Sequence, residues 1–249
     1  MRNSALVIPC FNEAERLDDD FVLELADTPG LAVMLVDDGS RDGTFQRFSE
    51  LAALRPNAIS TLRMPRNVGK GEATRNGMLA CIEKGASSVG FADADFSTPP
   101  REIVRLHRAL LSSGRSVVLG SRVARLGSRI QRSPIRHGLG RIFATFAALA
   151  MEAQVYDTQC GAKWFAVGEP LRTAISRPFR SRWAFDLELL LRLLGRIDGT
   201  TETIALEEIV EIPLESWTDV GGSKLRIAGM ARALYEVLDL LRRARGLEV

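Results

Sequence analysis

Val89-Gly90-Phe91-Ala92-Asp93-Ala94-Asp95 is the stretch on which the reading of this chain turns. An apolar run leads into two carboxylates separated by one residue, and Ser97-Thr98-Pro99-Pro100 stops the strand just after them. In an extended chain the side chains at i and i+2 point to the same side. Asp93 and Asp95 are therefore expected to converge on one hard divalent cation. Mg2+ and Mn2+ suit carboxylate oxygens and commonly share their shell with substrate phosphates. The competing reading is a loop that holds two acids by chance, and D-x-D alone does not separate the two.

A chain of 249 residues is long enough for one large α/β domain or two small ones, each with a real core. Its apolar content of 46% and charged content of 26% are ordinary for a soluble globular protein. A net charge of +2 gives no reason to expect nucleic acid as a partner. Cys10, Cys81 and Cys160 are far apart and lack metal-type spacing, so they read as reduced thiols of a cytoplasmic protein. With only His107 and His137, a His-rich metal site is excluded. The N-terminus enters a strand-like run with no signal peptide, and no stretch reaches the ~18 uninterrupted apolar residues of a membrane span.

Outward from the D-x-D strand, apolar runs at 4–9, 31–36, 59–63 and 117–120 suit buried parallel strands. Helical patterns lie between them: 13–26 with Asn12 as N-cap, 44–54, a helix opened by the Gly-rich turn 67–71, and 100–113. Strands alternating with helices predict a mostly parallel sheet with helices on both faces. Ligands of such sheets bind beyond the carboxyl ends of the strands. Asn12-Glu13, Asp37-Asp38, Asp93 and Asp95 all fall at such ends, which a set of unrelated solvated loops would not produce.

After residue 121 the pattern changes. Arg122, Arg125, Arg129, Arg132 and Arg136, broken by Gly127 and Pro134, read as a basic loop over an anion; a solvated charge run is the plainer reading. Residues 140–152 form an apolar helix with a stripe at Ile142, Phe143, Phe146 and Leu149. Most such stripes are core, but the basic flanks also suit a membrane surface. A polar turn at 157–161 precedes a strand at 162–166. A helix follows from 182 to 194, then a strand at 204–213, a polar loop at 216–223 and a long helix at 224–245.

Several stretches together resemble the family 2 glycosyltransferases of the GT-A fold: V-I-P-C-F-N-E at 7–13, V-D-D-G-S-R-D-G-T at 36–44, N-V-G-K-G at 67–71 and D-A-D at 93–95. Within that family the chain is similar to the dolichyl-phosphate (polyprenyl-phosphate) β-glucosyltransferases. The stretches that say so are D-T-Q-C-G-A-K-W-F at 157–165, R-W-A-F-D-L-E-L-L at 182–190 and W-T-D-V-G-G-S-K-L at 217–225. The resemblance covers residues 4 to 226. It implies an α/β GT-A catalytic domain over 1–226, a Rossmann-like, mostly parallel sheet flanked by helices, with a C-terminal helix over 227–249 packed on it.

The resemblance also implies roles. Pro9, Phe11, Glu13, Val36, Asp37 and Asp38 match positions that hold the nucleotide's base and ribose. Lys70, Ala92, Asp93 and Ala94 lie along the nucleotide-sugar, with Asp93 and Asp95 as the metal motif for Mg2+ or Mn2+. Arg122 and Lys224 match phosphate-contacting positions, and arginine suits two-point phosphate contact. Asp157 and Asp186 are acceptor-side candidates. The implied reaction is metal-dependent inverting transfer of a hexose, glucose from UDP-glucose first, to a polyprenyl or dolichyl phosphate. Thr218 stands where mannose synthases carry a basic residue six positions before Lys224, which favours the glucosyl type. Many relatives carry a membrane segment that this chain lacks, so a lipid acceptor implies peripheral contact with the cytoplasmic face of the membrane. The alternatives are a soluble transferase using another nucleotide-sugar, such as GDP-mannose, and a small-molecule, glycan or protein acceptor, and a non-catalytic nucleotide-sugar-binding protein. A nucleotidyltransferase would carry a Gly-rich basic signature where Pro9-Cys10-Phe11-Asn12-Glu13 stands.

Overall fold

The computed structural model describes residues 3–131, 134–199, 201–220 and 227–247, with 134–137, 139 and 227–232 described by backbone only. Apolar runs become strands β1 (Ser4–Cys10), β2 (Leu31–Asp37), β3 (Ile59–Arg63), β4 (Ser88–Ala92) and β5 (Val117–Ser121). Strands β6 (Arg129–Gln131), β7 (Ala162–Ala166), β8 (Ile209–Pro213) and β9 (Ser216–Thr218) follow. Seven of them form one sheet in the order β3-β2-β1-β4-β7-β5-β8, and β6 pairs with β9 in a separate two-stranded ribbon.

Both faces of the sheet are covered, which is why its strands are apolar without alternation. Leu6 and Ile8 of β1 enter a core shared with α1 (Asp19–Asp27), α2 (Thr44–Leu54) and α4 (Pro100–Ser113). Ala5 and Val7 enter the opposite core. That one is closed by α3 (Lys70–Glu83), α5 (Pro134–Met151), α6 (Glu169–Ala174), α7 (Phe185–Leu193) and α8 (Ile227–Ala244).

The α/β architecture and mostly parallel sheet are as expected, with one reversal. β7 runs antiparallel to both of its neighbours, β4 and β5. The crossover through α4 leaves a gap one strand wide, and β7 enters it from the edge where the polar loops lie. Strand–helix alternation carries no direction for such an inserted strand.

Other boundaries also differ. Asn12 is not an N-cap: its φ of 52° is left-handed, and the helix begins only at Asp19, where the Asp18 carboxylate accepts the Phe21 N–H. The basic loop is shorter than expected. Part of it is β6, and α5 starts at Pro134 because proline fits a first helical turn. Arg132 lies outside the described residues. The α5 stripe divides: Phe143 is buried and Phe146 partly so, while Ile142 and Leu149 are 50% and 44% exposed. The 204–213 strand is confined to β8, preceded by a single helical turn at Leu206–Glu208. Among the described residues no helix is long and apolar enough to cross a membrane.

Candidate active site

The loops at the carboxyl ends of β1, β2 and β3 are tied to one another by their own polar atoms. The Asp38 N–H donates to the Cys10 carbonyl (2.8 Å) and the Met64 N–H to the Asp37 carbonyl (2.8 Å). Asn12 donates its N–H to Ser40 Oγ (2.9 Å) and accepts the Arg41 N–H (3.0 Å); asparagine tolerates its left-handed φ. The Glu13 N–H donates to Thr44 Oγ1 (2.9 Å). Pro9 and Val36 face each other in the β1–β2 register. Phe11 follows β1 and is partly buried.

Asp37 is fully buried. Its Oδ1 accepts the Ser40 N–H (2.8 Å), and Oδ2 lies 3.2 Å from Arg63 Nε. Asp38 turns the other way. Its two oxygens accept the N–H groups of Val68 (2.7 Å) and Gly69 (2.9 Å), so it holds the Gly-rich turn that opens α3. Burial keeps its carboxyl above the usual range, against the pull of those two bonds and of Arg182. Arg182 Nη2 in turn donates to Asn67 Oδ1 (3.1 Å), closing the 180–184 loop over the same turn.

Asp93 and Asp95 are placed by a turn, not by strand alternation. β4 ends at Ala92, and the two acids lie in a tight turn in which the Phe96 N–H donates to the Asp93 carbonyl (3.2 Å). Ala94 is buried inside that turn. Asp95 Oδ1 accepts the Ser97 N–H (3.0 Å), and Phe96 carries a φ of 47°, unusual for a bulky residue. Lys70, at the start of α3, donates from Nζ to Asp93 Oδ1 (2.5 Å) and sits 5.8 Å from the Phe185 ring centroid. Desolvation opposes its charge, but Asp93, Asp186 and Asp95 outweigh it and hold the ammonium above its ordinary value.

Arg122 and Asp157 form a buried two-point pair, Nε to Oδ2 at 2.6 Å and Nη2 to Oδ1 at 2.7 Å. Burial acts to raise the Asp157 carboxyl, and Arg122 overrides it, so the group lies below the usual carboxylate range. Glu211 of β8 supports the turn from beneath by accepting the N–H groups of Tyr156 (2.9 Å) and Asp157 (2.7 Å). The guanidinium lies 5.4 Å from the Trp217 ring centroid, and the Thr218 N–H donates to the Ser97 carbonyl (3.0 Å). The 122 loop, the 217–218 segment and the D-x-D turn therefore share one wall. Asp186 is paired with Lys163 of β7 at 3.1 Å, and Lys163 is wholly buried. Glu188 pairs with Arg192 inside α7 and accepts the Arg180 and Ser181 N–H groups, a structural task. Lys224 lies outside the described residues.

The described acids and bases of the expected set lie in loops at one edge of the sheet, and Lys163, Gly161 and Glu211 join them there. Sequence reasoning named none of these three as a site residue. A lysine flanked on both sides by apolar strand residues was the available signal for Lys163. Among the described residues no group of three or more His, Cys, Asp or Glu side chains could hold a metal ion. Asp93 and Asp95 offer two carboxylates beside a cationic head group. That donor set fits a hard divalent ion only if other oxygens, such as those of a diphosphate, complete its shell.

The glycosyl transferase family 2 model matches residues 5–167. The dolichyl-phosphate beta-glucosyltransferase ALG5C of Trichomonas vaginalis is 30% identical over 251 residues, covering 95% of this chain and 70% of that protein. The dolichyl-phosphate beta-glucosyltransferase of Saccharomyces cerevisiae is 30% identical over 266 residues, covering 96% and 74%. Among solved structures, glucosyl-3-phosphoglycerate synthase from Mycobacterium tuberculosis, in complex with Mn2+, UDP-glucose and phosphoglyceric acid, superposes with a TM-score of 0.69. It is 19% identical and covers 100% of this chain and 81% of its own, a likeness of fold. With that family model over residues 5–167 and relatives 30% identical over 70% and 74% of their own length, the chain belongs to glycosyl transferase family 2.

Proposed function

We propose that this glycosyltransferase moves a hexose, glucose from UDP-glucose in the first instance, to the phosphate of a polyprenyl or dolichyl acceptor. The observation that carries this reading is the state of the acceptor-side acids. Asp157 is neutralised by Arg122 and Asp186 by Lys163. An alcohol acceptor needs a base within hydrogen-bond reach to take its proton. A phosphate arrives ionised and needs no base; Lys224 is suited to meet its charge, while Arg122, whose charge Asp157 balances, can offer only N–H groups that this carboxylate does not engage.

In this reading a phosphate oxygen of the acceptor attacks the anomeric carbon from the face opposite the leaving group. The bond from that carbon to the nucleotide diphosphate breaks, and the sugar inverts. Pro9, Phe11, Glu13, Val36 and Asp37 line the base and ribose, Asp38 holds the turn that presents Lys70, and Ala92 and Ala94 flank the sugar diphosphate. Mg2+ or Mn2+ held by Asp93 and Asp95 would neutralise the charge that develops on the departing diphosphate. The names of the two curated relatives support the acceptor and the sugar, and the Mn2+ and UDP-glucose of the mycobacterial synthase support the donor and metal. Residues 1–226 act as the catalytic domain and 227–249 as a helix packed on it. Ile142 and Leu149, with Arg141, rest at the cytoplasmic face of the membrane.

The test offers purified protein UDP- and GDP-sugars with Mg2+ or Mn2+, with and without a short-chain polyprenyl phosphate. Nucleotide diphosphate release and the glycosyl lipid are both recorded. The expected result is release that needs the lipid phosphate, is fastest with UDP-glucose and is lost in Asp95→Ala. Release indifferent to the lipid, or transfer to a soluble acceptor alone, would overturn the lipid-phosphate assignment.

A further inference from the structure

The chain has four lysines among its 33 lysines and arginines, and one of the four, Lys163, is sealed in the middle of the sheet. It lies on β7 between Phe91 of β4 and Leu119 of β5, with its ammonium 5.2 Å from the Phe91 ring centroid. A charged group without water is costly unless it is paired and hydrogen-bonded. Lys163 Nζ donates to the Cys160 carbonyl (2.5 Å) and to Asp186 Oδ2 (3.1 Å). The other Asp186 oxygen accepts the N–H of Leu187 (3.0 Å), so this carboxylate is fixed from two sides.

Asp186 has a second cation near it: Lys70 Nζ lies 5.8 Å from the ring centroid of Phe185, the residue before Asp186. The Asp186 charge acts on that ammonium together with those of Asp93 and Asp95. Lys163, Asp186, Lys70 and Asp93 therefore alternate in sign from the interior of the sheet to the D-x-D turn. Remove the charge at the buried end, and Asp186 is left uncompensated beside Lys70, which then has two anions to choose between.

We propose that Lys163 is a positioning residue: by neutralising Asp186 from behind, it leaves Lys70 to Asp93 and to the donor's diphosphate. This rests on the reading of the cleft as a nucleotide-sugar site. Lys163 touches neither substrate nor metal ligand. It acts through Asp186, and its effect is felt in nucleotide affinity.

The experiment compares wild type, Lys163→Met, Asp186→Asn and the double variant. Affinity for UDP and for GDP in the presence of Mg2+ is measured by calorimetry, beside the thermal midpoint of each protein. Lys163→Met is expected to weaken nucleotide binding by about tenfold or more, the scale of lost support behind a metal site. The double variant, whose neutral pair again leaves Lys70 to Asp93, is expected to recover most of that affinity. A folded Lys163→Met protein with wild-type affinity would overturn the proposal, because a lysine that only stabilises the sheet moves the midpoint alone. Should Lys163→Met not fold, the double variant and Asp186→Asn decide. Equal affinities support action through Asp186, and a double variant about tenfold weaker refutes it. A wild-type protein that binds neither nucleotide brings down the reading of the cleft, and this assignment with it.

Discussion

The α-carbon of Gly161 bears directly on the carboxylate of Asp93: a β-carbon there would sit 2.2 Å from Oδ2 and 2.3 Å from Cγ. The same glycine accepts the Asp93 N–H through its carbonyl (3.1 Å). Gly161 thus fixes where the first acid of the D-x-D turn can stand. Gly161 has no left-handed φ, so a Gly161→Ala substitution acts through the Asp93 side chain, which must shift from the position in which it meets Lys70. Turnover should fall by on the order of 100-fold, as for a misplacement of about 1 Å in a reacting constellation. The thermal midpoint should stay within a few degrees. Full activity in Gly161→Ala would show that the Asp93 carboxylate need not stand where the structure has it.

Asp157→Asn separates charge from shape at the second wall of the cleft. The substitution leaves the Arg122 guanidinium buried without its counter-charge, a loss of about 3–5 kcal/mol for a broken buried pair. For a chain of this size each kcal/mol shifts the midpoint by about 2–4 °C, so a fall on the order of 10 °C is expected by calorimetric scan. Replacing Arg122 by Met as well should return part of it. A midpoint unchanged in the single variant would mean that water or another group already shields the pair.

The same pair sets an acid limit on stability. Because Arg122 holds the folded Asp157 carboxyl below its ordinary value of 3.8, its contribution is complete above that value. It is lost as the pH falls through the lower folded value. Urea midpoints measured from neutral pH downward should drop less steeply below pH ~4 in Asp157→Asn than in wild type. Parallel curves would assign the acid sensitivity to other carboxylates.

How far the sequence could be read depended on whether the controlling interaction was local. The order of strands and helices, and the polar residues at strand ends, follow from local periodicity and turn chemistry. Both survive in the fold. Asn12 is not the cap that its local pattern predicts, because its left-handed φ serves bonds to Ser40 and Arg41, residues distant in sequence. Arg122 and Asp157 were each marked as site residues, yet their pairing joins positions 35 apart and has no periodic signature. Lys163 has the same kind of distant partner in Asp186 of α7, although its other bond, to the Cys160 carbonyl, is local. The direction of β7 is likewise decided by the gap it fills.

Gly39 tests the tie between the nucleotide-side loops. Its φ is +71°, and an added β-carbon would lie 2.4 Å from the carbonyl carbon of Arg66, which is backbone and cannot swing aside. Gly39→Ala should cost about 1–3 kcal/mol in strain. It should also weaken nucleotide binding by displacing Asn67 and the turn that Asp38 holds. Chemical denaturation and nucleotide titration of one preparation would check both. A variant with unchanged affinity would detach the 66–69 turn from the donor site.

The pH dependence of turnover discriminates between a phosphate acceptor and a base-assisted one. Burial, with Arg108 beside it, holds His107 below its ordinary value, and the ring packs against Trp164 at 4.4 Å between centroids. Burial, reinforced by Asp157, pushes the Cys160 thiol up to about 11. Asp157 ionises below the usual range, and Lys70 loses its proton above its ordinary value. Each of these shifts carries its group away from the neutral range, and Asp38, which burial raises, starts from an ordinary value of 3.8. The acid limb of the rate should therefore follow the acceptor's own second phosphate ionisation, near pH ~6. Exchanging the phosphate for a phosphonate, whose second ionisation lies higher, should carry the limb upward with it. A limb that stays in place when the acceptor is changed would belong to a group of the enzyme. A protein base would then have to be sought among the carboxylates now assigned to ion pairs.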